Sequence, residues 1–593
     1  MRAQNIRVPV TQDVLFPAPT KGWVQSGNIT TAGLDQAEVL DNYFPTAQGA
    51  RLRGGSTVYA TIGAAIVRLI TYSASTDDMF ATTATGIYDA DRIAGGGGTF
   101  ADVAGMTSGD WSSAQITTAG GSYAVMVNGA DYAHYYDGAT FYPLGAVAGN
   151  NVPYDTLTTA FAVGETVTGG TSGATAVILS IVQTSATAGT LRVGAITGGP
   201  FQNNETLTSA SGSALANGAS GAGTAISITG IDTRTLNQVW LHKQRLFFVE
   251  EDSLSIWYLP VSSVGGAAVE FPLGAVFKKG GTIAFGASWS LDSGAGLDDV
   301  CIIVTTNGEI AVYEGNDPSD ANDWRIAGVY EVSRPLNKHA YFKAGGDLAI
   351  LTEDGIIPVS EALRKDRAAL QAVAISYPIE DAWKDAVANR STSFPISPTL
   401  WQSQALLMIG VPGTGGIAYV ANARTGAWCR YTGWDVRCGA VAGDRLYFGT
   451  NAGTVMRGQV GGNDGGVAYT ARYVPKFTEA GVPQIKVANF AGVTVKATEE
   501  PRFRMACFRN YEIGTYPVPQ PLGVESGDVW GTGIWGDFVW GTGDAEFAYT
   551  IWKGVRAVGY SLAPVVVVTA NQSSTPAFEI LATRLRFEVA RAL

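Results

Sequence analysis

The sequence predicts a mainly β fold: a β-propeller with an inserted small β module and a C-terminal β platform. Glycine accounts for 74 of the 593 residues, whereas a typical protein has about 7% glycine. Short alternating apolar runs end at turn dipeptides along most of the chain. Helical periodicity is confined to one short segment near residues 360–389. Many turns, many short strands and one helical segment together indicate the mainly β class.

The turn dipeptides mark recurring hairpins. Asn128-Gly129, Asn307-Gly308 and Asp354-Gly355 each separate two apolar runs, and such pairs favour the type I′ turns of β-hairpins. About seven similar hairpins at irregular spacing predict propeller blades, each a small meander. The spacing is too irregular for a WD40 or kelch array, and a multi-sheet sandwich is the alternative. The hairpins span residues 79–91, 123–138, 245–259, 301–315, 346–360, 416–431 and 444–458.

Residues 150–232 differ from their surroundings in composition. They are rich in Gly, Ala, Ser and Thr, and residues 161–176 resemble residues 201–216. Both copies contain Phe-x-x-x-Glu-Thr followed by Ser-Gly. We expect an inserted, duplicated β module that is an autonomous passenger at an exposed loop, with disorder as the competing interpretation. The predicted domains are an N-terminal arm (1–60), a discontinuous propeller (61–149 and 233–465), the module (150–232) and the platform (466–593).

A tryptophan ladder marks the C-terminal segment. The sequence Val-Trp-Gly-Thr-Gly occurs at Trp530 and again at Trp540, with Trp535 between them. This even spacing places Trp530 and Trp540 on one face of an extended chain. Trp530, Trp535 and Trp540 are therefore candidate interface or packing residues, because tryptophan is enriched at protein interfaces. Stacking on a sugar is the alternative.

The sequence predicts no catalytic, cofactor-binding or metal-binding residues. The three histidines are far apart, and no nucleophile elbow or phosphate-binding loop is present. The acidic run from Asp317 to Asp323 lacks the Gly and the terminal Glu of an EF-hand loop, so a turn is expected. The acidic triplet Glu250–Asp252 is expected to be a solvated turn rather than a glycosidase pair. The four cysteines are expected to be reduced.

Net charge limits the partners of the chain. The formal net charge is −12 and the pI is about 4.9. Tight nucleic-acid binding requires clustered Lys and Arg, so we expect the protein to let DNA pass without tight binding. Acidity also favours solubility, so charge alone does not distinguish these roles. The sequence shows no signal peptide and no apolar run of membrane-spanning length, so no membrane insertion is expected.

Several sequence segments resemble those of a family of virion proteins from short-tailed bacteriophages. Residues 18–56 contain Asn-x-Phe-Pro and Arg-x-Arg-Gly-Gly, which are similar to the N-terminal arm of that family. Residues 242–274 and 305–336 are similar to its middle part. The family is that of the tail nozzle, or tail tubular protein B-like, proteins. The resemblance consists of short similar segments spread over most of the chain, and it implies no catalytic residues.

The resemblance implies a structural role. It implies a homo-oligomer, expected to be a hexamer, that closes the tail tube, retains packaged DNA and guides its ejection. The implied partners are the tail adaptor and portal proteins and, as a further expectation, tail fibres. The implied location is the virion tail, after assembly in the host cytoplasm. The alternatives are a receptor-binding tail adhesin that recognises a host surface glycan and a glycan-degrading enzyme.

Overall fold

The computed structural model describes most of the chain as strands joined by short turns. The described residues are 11–27, 30, 32–74, 77–145, 149–223, 226–290, 299–390, 395–411, 416–498, 502–517 and 547–589.

Five strands precede the first complete blade. They are β1 (Thr11–Pro17), β2 (Ala37–Asp41), β3 (Tyr43–Pro45), β4 (Ala50–Leu52) and β5 (Ser56–Thr61).

Blades 1 and 2 follow, and each is an antiparallel meander of four strands. Blade 1 is β6 (Arg68–Ser73), β7 (Asp77–Thr83), β8 (Gly86–Asp89) and β9 (Val103–Ala104), with helix α1 (Ala90–Ala94) after β8. Blade 2 is β10 (Ser112–Thr118), β11 (Gly121–Val127), β12 (His134–Tyr136) and β13 (Phe141–Pro143).

The segment between blades 2 and 3 has eight short or medium strands among its described residues. They are β14 (Asn150–Thr159), β15 (Thr166–Gly169), β16 (Thr175–Gln183), β17 (Gly189–Val193), β18 (Thr206–Thr208), β19 (Ser213–Ala216), β20 (Gly221–Ala222) and β21 (Ile228–Thr229).

Blades 3 and 4 come next, and a short 3-10 helix (Thr233–Thr235) leads into blade 3. Blade 3 is β22 (Leu236–His242), β23 (Arg245–Glu250), β24 (Ser255–Tyr258) and β26 (Val269–Pro272), with β25 (Gly266–Ala267) paired to β21. Blade 4 is β27 (Ile283–Trp289), β28 (Val300–Thr305), β29 (Glu309–Glu314) and β30 (Arg325–Glu331).

Blade 5 has three strands and carries the helical segment. The strands are β31 (Tyr341–Ala344), β32 (Asp347–Thr352) and β33 (Gly355–Pro358). The helices are α2 (Val359–Ala362), α3 (Arg367–Leu370) and α4 (Glu380–Ala388), with 3-10 turns at Gln371–Val373 and Tyr377–Ile379.

Blades 6 and 7 complete the propeller. Blade 6 is β34 (Pro398–Trp401), β35 (Leu406–Val411), β36 (Ile417–Asn422) and β37 (Trp428–Thr432). Blade 7 is β38 (Cys438–Ala442), β39 (Arg445–Gly449) and β40 (Thr454–Gly458), and its fourth strand is β5.

The C-terminal strands are longer. They are β41 (Tyr469–Pro475), β42 (Lys486–Ala497), β43 (Arg504–Arg509), β44 (Phe547–Gly559), β45 (Leu562–Ala570) and β46 (Phe578–Val589).

The fold is a β-propeller, and the described residues form seven blades around one axis. The first strands of neighbouring blades adjoin, as β22 lies between β10 and β27, and β38 lies beside β6. Apolar clusters fill the space between blades, with Phe80 and Phe141 between blades 1 and 2. Phe247 and Tyr313 lie between blades 3 and 4. The ring closes through β5, which pairs antiparallel with β40, so an early strand completes the last blade.

Two further sheets hold the N-terminal and C-terminal strands. Blade 6 is extended outward in the order β37-β2-β41-β45-β43. Strand β45 lies between β41 and β43 and is buried at every position, because its two faces pack into two different apolar clusters. The other sheet has the order β3-β4-β46-β42-β44, and β1 also pairs with β46. We call this second sheet the terminal sheet.

The segment 150–232 shares a sheet with blade 1. Strand β16 pairs with β9, the outermost strand of that blade, through Ile181 opposite Ala104 and Val182 opposite Val103. His134 of blade 2 is buried, and its Nε2 lies 2.9 Å from the hydroxyl of Ser180. The module is therefore joined to the propeller by backbone pairing and by a buried polar contact.

The two copies of the duplicated frame contact each other reciprocally. The carboxylate of Glu165, in the first copy, accepts hydrogen bonds from Ser209 and Ser211 of the second. The carboxylate of Glu205, in the second copy, accepts them from the backbone N–H groups of Thr171 and Ser172 in the first. The glutamate of each copy therefore holds the Ser-Gly turn of the other copy.

Glu205→Gln should destabilise this module. Glu205 is 3% exposed; burial raises the pKa of its carboxyl, but hydrogen bonds from Ser172 and the backbone of Gln202 outweigh burial, and its pKa is lowered. The amide replaces one accepting oxygen by a donor that faces N–H groups, which costs about 1–3 kcal/mol. Hydrogen exchange of β15 and β18 should be faster in this variant.

Glu165→Gln is the matched control, because the equivalent carboxylate is more exposed to solvent. We expect a smaller acceleration of exchange in that variant. Equal acceleration in both variants would contradict the importance of burial at Glu205.

Candidate functional site

Arg53 connects the N-terminal strands to the segment that follows blade 7. Its side chain is buried, and its guanidinium donates to both carboxylate oxygens of Asp464, with Nη1···Oδ1 at 2.9 Å and Nη2···Oδ2 at 2.6 Å. Its Nε donates to Oδ1 of Asn42 at 2.8 Å. A bidentate pair with a further acceptor compensates a buried charge well. We call Arg53, Asp464 and Asn42 the closure lock.

Aromatic rings and glycines surround the closure lock. The guanidinium carbon of Arg53 lies 4.0 Å from the ring centroid of Tyr469 and 4.8 Å from that of Trp434, distances at which cation–π attraction contributes. A Cβ atom at Gly55 would lie 1.9 Å from the backbone oxygen of Asn463. Only glycine fits there. The Arg-x-Arg-Gly-Gly motif is thus explained by a buried ion pair and a close backbone approach beside the closing strand β5.

The terminal sheet has one buried face and one open face. Val493 and Leu585 are fully buried on the inner face, whereas Leu15 is 51% exposed and Phe490 is 48% exposed. This alternation is the period of two residues that a half-buried strand requires. Large apolar side chains that remain exposed on one face of a sheet mark interaction surfaces.

Charged residues lie beside these apolar side chains. Leu15 is paired with Arg584, and Phe490 is paired with Arg586. Arg586 donates to the two carboxylate oxygens of Asp13 at 2.8 and 2.9 Å, and this hydrogen bonding lowers the pKa of Asp13. Its guanidinium carbon also lies 4.7 Å from the ring centroid of Trp552. We define the open face as Asp13, Leu15, Phe490, Trp552, Arg584 and Arg586.

The open face continues to a strand edge. Within the described residues, β44 forms ladder hydrogen bonds with β42 alone, and β43 lies close to β44 without pairing with it. Val558 and Phe547 of β44 are exposed. A long strand whose second edge is not paired in a ladder is a template for pairing with another chain. The open face and this edge together form the candidate functional site.

A buried polar cluster lies near the propeller axis. Lys338, before β31, donates through Nζ to the backbone oxygen of Asp110 at 2.7 Å and to Oδ1 of Asn237 at 2.6 Å. Nε2 of His339 lies 2.9 Å from Oδ1 of Asp110. These residues come from blades 2, 3 and 5, so the cluster fixes the inner strands relative to one another across the axis.

Burial changes the ionisation of this cluster. It lowers the pKa of His339 to about 4, with the nearby charge of Arg68 acting in the same direction. It also lowers the pKa of Lys338. Burial alone would raise the pKa of Asp110, but the adjacent His339 and Lys338 outweigh it and hold that pKa below its usual range.

The predicted site residues can be placed only in part. Trp530, Trp535 and Trp540 lie outside the described residues. The three histidines are in separate places, and burial lowers the pKa of both His134 and His242 to about 4.

The remaining features that bear on chemistry or on membrane insertion are the possible metal ligands, the acidic run from Asp317 to Asp323, the cysteine Cys301 and the helices. In the described part of the chain, no group of three His, Cys, Asp or Glu side chains could hold a metal ion. In the acidic run, Asp323 accepts the N–H groups of Asn316 and Asp317. Cys301 is free and buried, and burial raises the pKa of its thiol to about 12. None of the helices within the described ranges is both long and apolar enough to cross a membrane.

The sequence matches no family model and no curated protein. Among solved structures, it is similar to the β-propeller domain of Cps50 (Swd1) from Myceliophteria thermophila, with 10% identity over 68% of this chain and 99% of that chain and a TM-score of 0.33. It is also similar to Saccharomyces cerevisiae Sqt1, with 11% identity over the same shares and a TM-score of 0.30. A computationally designed protein, Ika8, is similar at 10% identity, with the same shares covered and a TM-score of 0.32.

Arg53→Met should strongly destabilise the protein. The substitution leaves the carboxylate of Asp464 without its compensating charge, and breaking a buried ion pair in this way costs about 3–5 kcal/mol. The thermal unfolding midpoint should fall clearly. Arg325→Met is the control, because the Arg325–Glu314 pair is exposed and such pairs contribute about 0–1 kcal/mol. Equal midpoints for the two variants would refute the closure lock.

Acidification should destabilise the protein between about pH 6.5 and pH 4. Burial lowers the pKa of all three histidines in the folded state to about 4, so the unfolded chain takes up protons first as the pH falls. The contribution of the neutral histidines to stability is therefore complete above pH 6.5, and below that it falls by about 1.4 kcal/mol per pH unit for each histidine. His339→Asn should flatten the dependence of the thermal midpoint on pH. An unchanged slope would contradict the buried, neutral state of His339.

Proposed function

We propose that this chain is a structural virion protein of a tailed phage, a subunit of the tail nozzle. The observation that carries the proposal is the candidate functional site, where exposed apolar residues and a strand edge without a ladder partner among the described residues lie on one sheet. A protein built to associate with copies of itself needs such a surface. The resemblance of the N-terminal motifs to those of nozzle proteins also supports the proposal. In this chain, the matching Arg-x-Arg-Gly-Gly motif supplies the buried Arg53 of the closure lock.

The proposed role is geometric and electrostatic rather than catalytic. Copies of the chain, six in our proposal, surround a channel that retains packaged DNA and later guides it out. The net charge of −12 supports passage without tight binding, because counterion release requires clustered basic contacts. The proposed partners are the tail adaptor and portal proteins and tail fibres. The proposed location is the virion tail, after assembly in the host cytoplasm.

Phe490→Asp combined with Leu15→Asp should abolish self-association. Both side chains are exposed, so the fold should persist, but two carboxylates on the open face oppose burial in an interface. Native mass spectrometry and negative-stain images should show rings for the wild-type protein and monomers for the variant. The thermal midpoint at a concentration at which both are monomeric should be nearly unchanged.

Val261→Asp is the matched control, since Val261 is exposed on a loop of blade 3 away from the terminal sheet. It should assemble as the wild type does. A wild-type protein that stays monomeric at tens of micromolar would contradict the proposal, as would a double variant that still forms rings. A trimer would favour the receptor-binding adhesin.

A further inference from the structure

A cavity of about 440 Å³ opens between blades 4 and 5. It is formed by the segments that precede β27 and β31, by the turns β28–β29 and β32–β33, and by the start of α3. These segments meet at the end of the propeller where the innermost strands of both blades begin. The lining residues are Lys279, Asn307, Arg334, Glu353 and Arg367.

The wall of the cavity is held by hydrogen bonds, some of them to a buried carboxylate. Glu309 is 2% exposed, and its carboxylate accepts from the backbone N–H groups of Lys278 and Lys279 at 2.8 to 3.1 Å. Nδ2 of Asn307 donates to the backbone oxygen of Lys279 at 3.0 Å. The backbone that carries Lys279 is thereby fixed to the β28–β29 turn, which makes this side of the cavity a preformed one.

The single carboxylate in the lining is already neutralised. Glu353 is 2.6 Å from a guanidinium nitrogen of Arg390. Lys279 pairs with Glu331 at 2.6 Å at the rim, and Arg367 lies 3.6 Å from Asp354. The fourth carboxylate beside the cavity, that of Glu309, is held by the backbone N–H groups of Lys278 and Lys279.

Arg334 is the lining cation whose charge is not balanced by an ion pair within the described residues. Among the described residues it forms no ion pair, although it lines the cavity beside Lys279 and Arg367. The side chains that line the cavity are thus three cations, one amide and one carboxylate, in a chain whose net charge is −12. A lining that holds more cationic than anionic side chains attracts small anions.

We propose that this cavity binds a small multivalent oxyanion, the phosphate or sulfate group of a free ion or of a sugar ester. The planar guanidinium groups of Arg334 and Arg367 present donors in a fork that suits tetrahedral oxyanions, and Lys279 supplies a point charge. The volume lies within the range of small-molecule sites, about 300–1,000 Å³. This site is independent of the proposed nozzle role, because it lies on the propeller and not on the terminal sheet.

Calorimetric titration of the full chain at low salt tests the proposal. The probes are inorganic phosphate, glucose 6-phosphate, glucose 6-sulfate and neutral glucose. We expect saturable binding of the charged probes, no binding of glucose, and weakening of the binding as sodium chloride is raised. A higher affinity for the glucose esters than for inorganic phosphate would assign the site to a sugar ester, and the reverse order would assign it to the free ion.

Variants locate the binding. Arg334→Gln combined with Arg367→Gln should weaken binding of the preferred probe at least about tenfold, with the thermal midpoint close to that of the wild type. Arg325→Gln is the control, because Arg325 is an exposed arginine on β30 of the same blade, and its affinity should be unchanged. No binding of any charged probe, equal binding of glucose, or unchanged affinity in the double variant would each overturn the proposal.

Discussion

A buried guanidinium governs how this propeller closes. Arg53 stands immediately before the Gly-Gly pair that leads into β5, and Asp464 stands just after β40, the strand that β5 pairs with. The ion pair therefore ties together the two chain segments that meet at the last blade. A charge buried at this depth is tolerated only when its partners are in place, so the lock favours the closed ring over an open array of blades.

The closed ring in turn sets the position of both terminal regions. The strands before β5 leave the lock toward blade 6, where β2 extends the sheet, and toward the terminal sheet, where β1 pairs with β46. The strands after β40 return beside them. The sheet that carries the open face thus contains segments from both sides of the closure.

The sequence allowed the mainly β fold, the propeller and the short helical segment to be predicted, because turn dipeptides and period-two alternation are local signals. Six of the seven predicted hairpins are the second and third strands of a blade, while residues 416–431 form the third and fourth strands of blade 6. Pairing of β5 with β40 joins residues about four hundred positions apart, and pairing of β16 with β9 uses backbone groups. Neither leaves a pattern in side-chain type.

Long-range polar contacts escape sequence analysis for the same reason. The motif around Arg53 was visible, but its partner Asp464 was not, since a single aspartate in a Gly-rich turn has no distinguishing neighbours. The open face of the terminal sheet is equally hard to predict from the sequence, because its residues come from four strands and alternate with buried ones. During synthesis, β42, β44 and β46 emerge after every blade, so a nascent chain can close its propeller before it presents this face. Such an order separates folding from association, which protects unfinished chains from pairing through exposed edges.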